Sequence, residues 1–161
     1  MAADPEVGGR EMKTFEHLSD LQALVGQPLG TSEWLTIDQD RIDRFARATD
    51  DLQWIHIDAQ RAAAGPFGTT IAHGFLTLSL LPVFFESAFE IADARMGLNY
   101  GLNRVRFTAP VPVGSRLRAH FQLLSYEPIQ GGAQLVAQAS IEREGVDKPV
   151  CVAESITRRY L

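Results

Sequence analysis

At 161 residues, 45% hydrophobic and carrying a formal net charge of −5, the chain has the size of one domain with a substantial apolar core and lacks the basic excess of a general nucleic-acid binder. Its one cysteine, Cys151, rules out an intramolecular disulfide and, without clustered histidines, supports neither a redox pair nor a zinc site, so it is read as a core residue. The longest apolar run, near Leu76–Phe85, is too short for a bilayer and is broken by Pro82, and Met1–Met12 has no apolar stretch of the signal or anchor kind; no membrane partner and a cytoplasmic location are expected.

Residues 1–13 carry Pro, Gly and charges and are expected to be disordered, with residues 14–161 forming a single domain. Ser19 is a candidate N-cap for a short helix over Ser19–Val25, ended by Gly26 and Pro28, and Thr31–Ile37 reads as a strand. Asp38 can cap a helix through about Ala48, with Ile42, Phe45 and Ala46 on one face and charges on the other. Asp51 and His56 follow. Five helical steps or five strand steps would point them apart, so a helix end running into an irregular turn is the arrangement that brings them together.

Asp58 caps a second short helix to Ala64, stopped by Gly65-Pro66, and Thr69 or Thr70 is placed to satisfy the first amides of the next element. That element, about His73–Phe89, is apolar on nearly every side, with Phe75, Leu76, Leu78, Leu80, Leu81, Val83, Phe84 and Phe85. A helix hydrophobic all round belongs inside a protein, and Pro82 predicts a bend in it with the Leu78 carbonyl freed. From Gly97 the texture is β, with strands over Tyr100–Phe107, Arg116–Glu127, Gln134–Glu144 and Val150–Tyr160, the last three forming an antiparallel meander.

One strand before the helix and four after can bury it only by curling around it, which is an α+β hotdog fold. The open edge of such a sheet predicts a homodimer.

The residues Asp51-Leu52-Gln53-Trp54-Ile55-His56-Ile57-Asp58, followed by Ile71-Ala72-His73-Gly74-Phe75-Leu76, resemble the MaoC-like dehydratase family, which includes the (R)-specific enoyl-CoA hydratases. The pattern common there is G-D-x-N-P-[IL]-H-x-D and then A-H-G. Gln-Trp-Ile-His, the loop Gly65-Pro66-Phe67-Gly68 and the Leu-Thr-Leu-Ser-Leu-Leu-Pro helix are similar to the nodulation-protein-N-like branch, and the resemblance runs from Trp34 to the C-terminus.

It implies a lyase that adds water reversibly to a trans-2-enoyl thioester, on coenzyme A or acyl carrier protein, to give an (R)-3-hydroxyacyl thioester in fatty acid metabolism. Asp51 and His56 match the family's acid-base pair, and the Gly74 amide matches its oxyanion donor. Gln53, Trp54, Phe75 and Asn103 are the expected substrate-binding positions, and neither a metal nor a redox cofactor is implied.

Three residues depart from the pattern: Asp50 replaces glycine, Gln53 replaces asparagine and Trp54 replaces proline. Gln53 would support the turn from a longer arm, and Trp54 would narrow the substrate tunnel. Asp58 reads as a cap and His73 as a structural residue holding the loop before the helix, while His17 and His120 read as surface residues. Hydrolysis of the thioester, or binding of it without turnover, are the rival readings. The Asp-x4-His spacing followed by His-Gly favours hydration over hydrolysis.

Overall fold

The computed structural model describes residues 12–161; of the terminal segment expected to be disordered, residues 1–11 lie outside that range, while Lys13 opens the first strand. In chain order the elements are β1 (Lys13–Phe15), a 3-10 helix (Leu18–Leu24), β2 (Pro28–Thr31), β3 (Leu35–Thr36), α1 (Gln39–Thr49), α2 (Trp54–Ile57) and α3 (Ala59–Ala63). Then come α4 (Gly74–Ser79), α5 (Leu81–Ala88), β4 (Phe89–Ile91), β5 (Met96–Phe107), β6 (Arg116–Ile129), β7 (Gly132–Arg143) and β8 (Cys151–Tyr160).

The last three strands form the expected meander, and the main sheet runs β2-β6-β7-β8-β5 with β3 also on β6. Period-two alternation sets which face is core. Ala133, Leu135, Ala137, Ala139 and Ile141 of β7 are buried, as are Leu117, Ala119, Phe121 and Leu123 of β6. Against this face lies α5, with Phe85 stacked on Phe121 at 4.1 Å between ring centroids. Such a pair adds about 0.5–1.5 kcal/mol beyond the area it buries. Cys151 is buried at the start of β8, and desolvation pushes its thiol up to about 11.

The long helix expected over His73–Phe89 is two helices. Leu80 (φ −82°, ψ −5°) separates α4 from α5, and its N–H donates to the Thr77 carbonyl at 3.3 Å in a tightened turn. Pro82 explains the break: lacking an N–H, it fits the first turn of a new helix better than the interior of an old one. Nor is the pair enclosed on all sides. Phe75 of α4 is 68% exposed and Val83 of α5 is also exposed, so each helix leaves an apolar side chain facing outward.

Smaller expectations shift as well. The strand expected over Thr31–Ile37 is divided into β2 and β3, with Ser32 between them bonded to the Ala119 backbone through its N–H and Oγ. The short N-terminal helix is a 3-10 turn whose N-cap is His17 rather than Ser19, because Asp20 reaches back to the His17 N–H at 3.0 Å. Phe89, expected to end the helix, instead opens β4, which pairs in parallel with β1. The caps at Asp38 and Asp58 form as expected, each accepting from a backbone N–H three residues on at 2.9 Å.

At the other edge of the main sheet, β5 pairs among the described residues only with β8 and presents twelve residues that are almost all exposed. Met96, Leu98, Tyr100, Leu102 and Phe107 are its large hydrophobic side chains.

Candidate active site

The end of α1 positions the acid. Asp50 is the helix C-cap in the left-handed conformation (φ 58°, ψ 19°), the conformation that favours glycine and tolerates aspartate better than most residues. The Asp50 departure from the glycine pattern is therefore a tolerated substitution at a backbone-determined position. The chain reverses there and delivers Asp51, exposed, onto the turn that leads into α2. Its Oδ1 accepts weakly from the Gln53 N–H at 3.4 Å.

His56 lies on the single turn of α2, so the expected irregular segment is partly helical, and its ring is buried. The ring is fixed from two directions. His56 Nδ1 lies 2.7 Å from the Ile71 carbonyl, which assigns the proton to Nδ1 and leaves Nε2 as a lone-pair acceptor. Its backbone carbonyl accepts from Gln39 Nε2 at 2.8 Å. Burial holds the His56 pKa below the usual imidazole value, with the Ile71 carbonyl opposing and His73 reinforcing that shift.

Gln39 is a residue that sequence reasoning missed. Its amide donates to both Asp43 Oδ1 and the His56 carbonyl, and its Oε1 accepts from Thr70 Oγ1 at 2.6 Å. One side chain thereby ties α1, α2 and the loop before α4. Position 39 carries no motif signal; its role exists only once the three segments are brought together. Thr70, one of the two threonines expected to satisfy the first amides of α4, donates to Gln39 instead.

His73 is the N-cap residue of α4 and is buried. Its Nε2–H donates to the Asp51 carbonyl at 3.0 Å, and its ring stacks on His56 with centroids 3.8 Å apart and planes at 24°. Phe45 closes the other side at 4.9 Å. His73 Nδ1 is buried without a hydrogen-bond partner among the described residues. The structural role expected for His73 is thus specific: it joins the backbone of the acid to the ring of the base.

Asp51, His56 and His73 each offer a ligand-type atom within 4.8 Å of the others. This donor set does not suit a cation. Imidazoles coordinate along lone pairs in the ring plane, and two rings stacked nearly parallel do not aim theirs at one point.

Gly74 begins α4, so its N–H has no intrahelical acceptor. A Cβ there would meet the Phe107 ring at 2.9 Å, which explains glycine by close approach. Phe75 packs edge-on against the same Phe107 at 5.9 Å. Phe107, on β5, is a second site neighbour that the sequence did not announce.

The remaining expected positions scatter. Gln53 is the N-cap of α2 but its side chain makes no cap bond, so the support expected from its longer arm is not formed. Trp54 leans on α3, with the Arg61 guanidinium 4.4 Å over its ring and Gly65 beneath it. Asn103 is exposed in an irregular stretch of β5 between Leu102 and Val105. His17 and His120 are surface residues as expected, bonded to Asp93 and to Thr31 and Glu142 respectively.

Residues 20–144 match the MaoC-like domain. The chain is 53% identical over 148 residues to 3-hydroxyacyl-thioester dehydratase Z of Mycobacterium tuberculosis, covering 91% of this chain and 98% of that protein. It is 49% identical over 144 residues to nodulation protein N of Rhizobium leguminosarum bv. viciae, covering 87% and 89%. The crystal structure of a MaoC-like dehydratase from Rhodospirillum rubrum superposes with a TM-score of 0.73 at 20% identity, over 89% of this chain and 96% of that one, and shares its fold. From the left-handed turn before Asp51 to the amide of Gly74, the site is built on a hotdog scaffold, and the chain belongs to the MaoC-like domain family.

Proposed function

We propose that the chain is a hydratase/dehydratase that interconverts a trans-2-enoyl thioester and water with an (R)-3-hydroxyacyl thioester. The observation that carries this reading is His56: a buried imidazole whose Nδ1 is held by Ile71, which leaves Nε2 as the acceptor, with a ring nitrogen within 4.8 Å of an Asp51 carboxylate oxygen. A water placed between the two donates its hydrogens to them. As its oxygen bonds to C3, His56 Nε2 takes one proton and then returns a proton to C2, while Asp51 orients the water. Charge developing on the thioester oxygen is met by the Gly74 N–H at the start of α4. The sum is water added across the double bond, with the enzyme restored.

Names borne by relatives agree with this chemistry. Besides the mycobacterial dehydratase, a 3-hydroxybutyryl-CoA dehydratase of Methylorubrum extorquens is 30% identical over 102 residues. The substrate is an acyl thioester; the carrier is coenzyme A or acyl carrier protein.

The functional unit in this reading is a homodimer formed through β5. A twelve-residue outer edge studded with exposed Leu98, Tyr100 and Leu102, beside an outward Phe75 that packs on Phe107, is a surface that water covers poorly and a second β5 covers well. Asp51 and Phe75, open in the single chain, would gain a wall from it. Among the described residues no helix is long and apolar enough to cross a membrane. A cytoplasmic location is part of this proposal, tested by cell fractionation.

The test is hydration of a short trans-2-enoyl-CoA followed by loss of its conjugated absorbance, in the wild type, Asp51→Asn and His56→Ala. A fall of about 100- to 10,000-fold in each variant is expected. Equal rates in all three, or release of free coenzyme A from a saturated thioester, would overturn the assignment.

A further inference from the structure

Leu78 of α4 and Pro82 and Phe85 of α5 line the space between these two helices and β8, on from Gly74 at the start of α4. Across that space, the inward row of β8 changes character: Cys151 and Ala153 are followed by Ser155, Thr157 and Arg159. Two cavities lie between helix and strand. The nearer to Gly74, of about 320 Å³, is bordered by Leu78, Leu81, Tyr100, Leu102 and Ser155. The farther, of about 440 Å³, is bordered by Phe85, Phe89, Leu98, Thr157 and Arg159, and both share Pro82 and Asn99. They form one groove that starts a helical turn beyond Gly74 and ends at Arg159.

Arg159 lies at the far end of a groove that is apolar near Leu78, Leu81 and Leu102 and polar where Glu86, Glu90 and Arg95 also border it. Its Nε is buried and lacks a hydrogen-bond partner among the described residues, and no ion pair forms there. Glu86 and Glu90 border the same cavity without pairing with it. Desolvation lowers the guanidinium pKa, and the charge of Glu86 in the same cavity opposes that shift. Its position is built: the guanidinium lies over the Phe85 ring at 5.7 Å, and a Cβ on Gly97 would collide with Nη1. Arg159 as a whole is partly buried, and a buried donor such as its Nε is costly while it lacks an acceptor.

Resting on the hydratase reading above, we propose that this groove holds the acyl chain and that Arg159 receives a carboxylate at its far end, so that ω-carboxyacyl thioesters are substrates of this protein. The apolar stretch at Leu78, Leu81 and Leu102 accepts methylenes, the polar end suits a charged terminus, and a guanidinium binds a carboxylate through paired hydrogen bonds. The span fits a medium chain. Ser155 to Arg159 covers about 13 Å along an extended strand, and Gly74 to Phe85 about 17 Å along helix.

The experiment compares kcat/KM for trans-2-dodecenoyl-CoA and trans-2-dodecenedioyl-CoA, the same chain ending in a methyl or a carboxylate, with crotonyl-CoA as a substrate too short to reach Arg159. Wild type should favour the diacid by about 10-fold or more, the value of a charge-assisted bond to a desolvated group. Arg159→Leu should reverse that preference and leave crotonyl-CoA turnover unchanged, and Arg159→Lys should keep part of it. A wild type that favours the methyl-ended chain, as it would if a second copy of this chain filled the groove, overturns the proposal. So does a ratio unmoved by Arg159→Leu, or a loss shared equally by crotonyl-CoA, which would mark Arg159 as a support of the fold. Failure of the hydratase reading is seen separately as no turnover of crotonyl-CoA. Binding of saturated dodecanedioyl-CoA and dodecanoyl-CoA by calorimetry then decides the groove: tighter diacid binding lost in Arg159→Leu supports it, and equal binding overturns it.

Discussion

The imidazole of His73 lies face to face with that of His56, centroids 3.8 Å apart, while its Nε2–H holds the Asp51 carbonyl. Two functions of one ring can be separated by substitution. His73→Phe keeps a stacked ring and loses the hydrogen bond; His73→Gln keeps a donor and loses the stack. Each should lower kcat by about 10-fold, the order of one lost hydrogen bond or a misplaced base, with KM nearly unchanged. Steady-state kinetics decide it: a rise in KM at constant kcat would place His73 in substrate binding instead.

The acid limb of the pH profile follows from His56. It must be neutral to accept a proton, and burial lowers its pKa from the ordinary value of 6.5. The profile of kcat/KM should therefore stay level as pH falls through 6.5 and drop only below it. In His73→Gln the limb should move upward, because His73 is one of the groups that disfavour charge on His56. Stability moves in the same window. Below about 6.5 the unfolded chain binds the proton and the folded chain does not, so His56 makes stability fall as pH drops from 6.5 toward its folded pKa. Thermal melts of wild type and His56→Gln across that range should diverge as pH rises, with the wild type showing the steeper dependence.

Gly74→Ala tests the close approach to Phe107. The new Cβ would press on the ring at 2.9 Å and displace either Phe107 or the Gly74 amide. A displaced oxyanion donor costs up to about 100-fold in kcat. Trimming the obstacle in Gly74→Ala/Phe107→Ala should recover much of the rate if the clash is the cause. A double variant as slow as the single one would mean that the glycine is needed for the substrate rather than for Phe107.

Which parts of this site were legible follows from how local each signal is. Asp38 and Asp58 announce their caps because capping is settled within three residues, and the alternation of β7 announces its faces because a strand carries its pattern along its own length. The Asp51–His56 turn was legible through motif spacing, and the left-handed Asp50 explains why that position usually holds glycine. Gln39 and Phe107 were not legible. Each acts by meeting residues far away in the chain, Gln39 at His56 and Thr70, Phe107 at Gly74. The helix break at Leu80 was half legible: Pro82 marked the disturbance, but a bend and a restart look alike in sequence, and only the Leu80 turn distinguishes them.

The exposed edge of β5 yields the last prediction. Its outward side offers unpaired backbone groups, and Leu98 and Leu102 add apolar side chains that are each close to half exposed. A natural monomer would blunt such an edge with charge or proline, and β5 does neither at these positions. Leu98→Lys/Leu102→Lys would place two positive charges near their symmetry mates in an isologous pairing, where like charges repel. Sedimentation velocity should show wild type as a dimer and the double variant shifted to monomer at low salt, with partial recovery at high salt as the charges are screened. Turnover should fall with the dimer, because in the proposed pairing a second chain covers Asp51 and Phe75, which are exposed in the single chain. A wild type that sediments as a monomer while fully active would show that the site is complete in one chain and that β5 serves another partner.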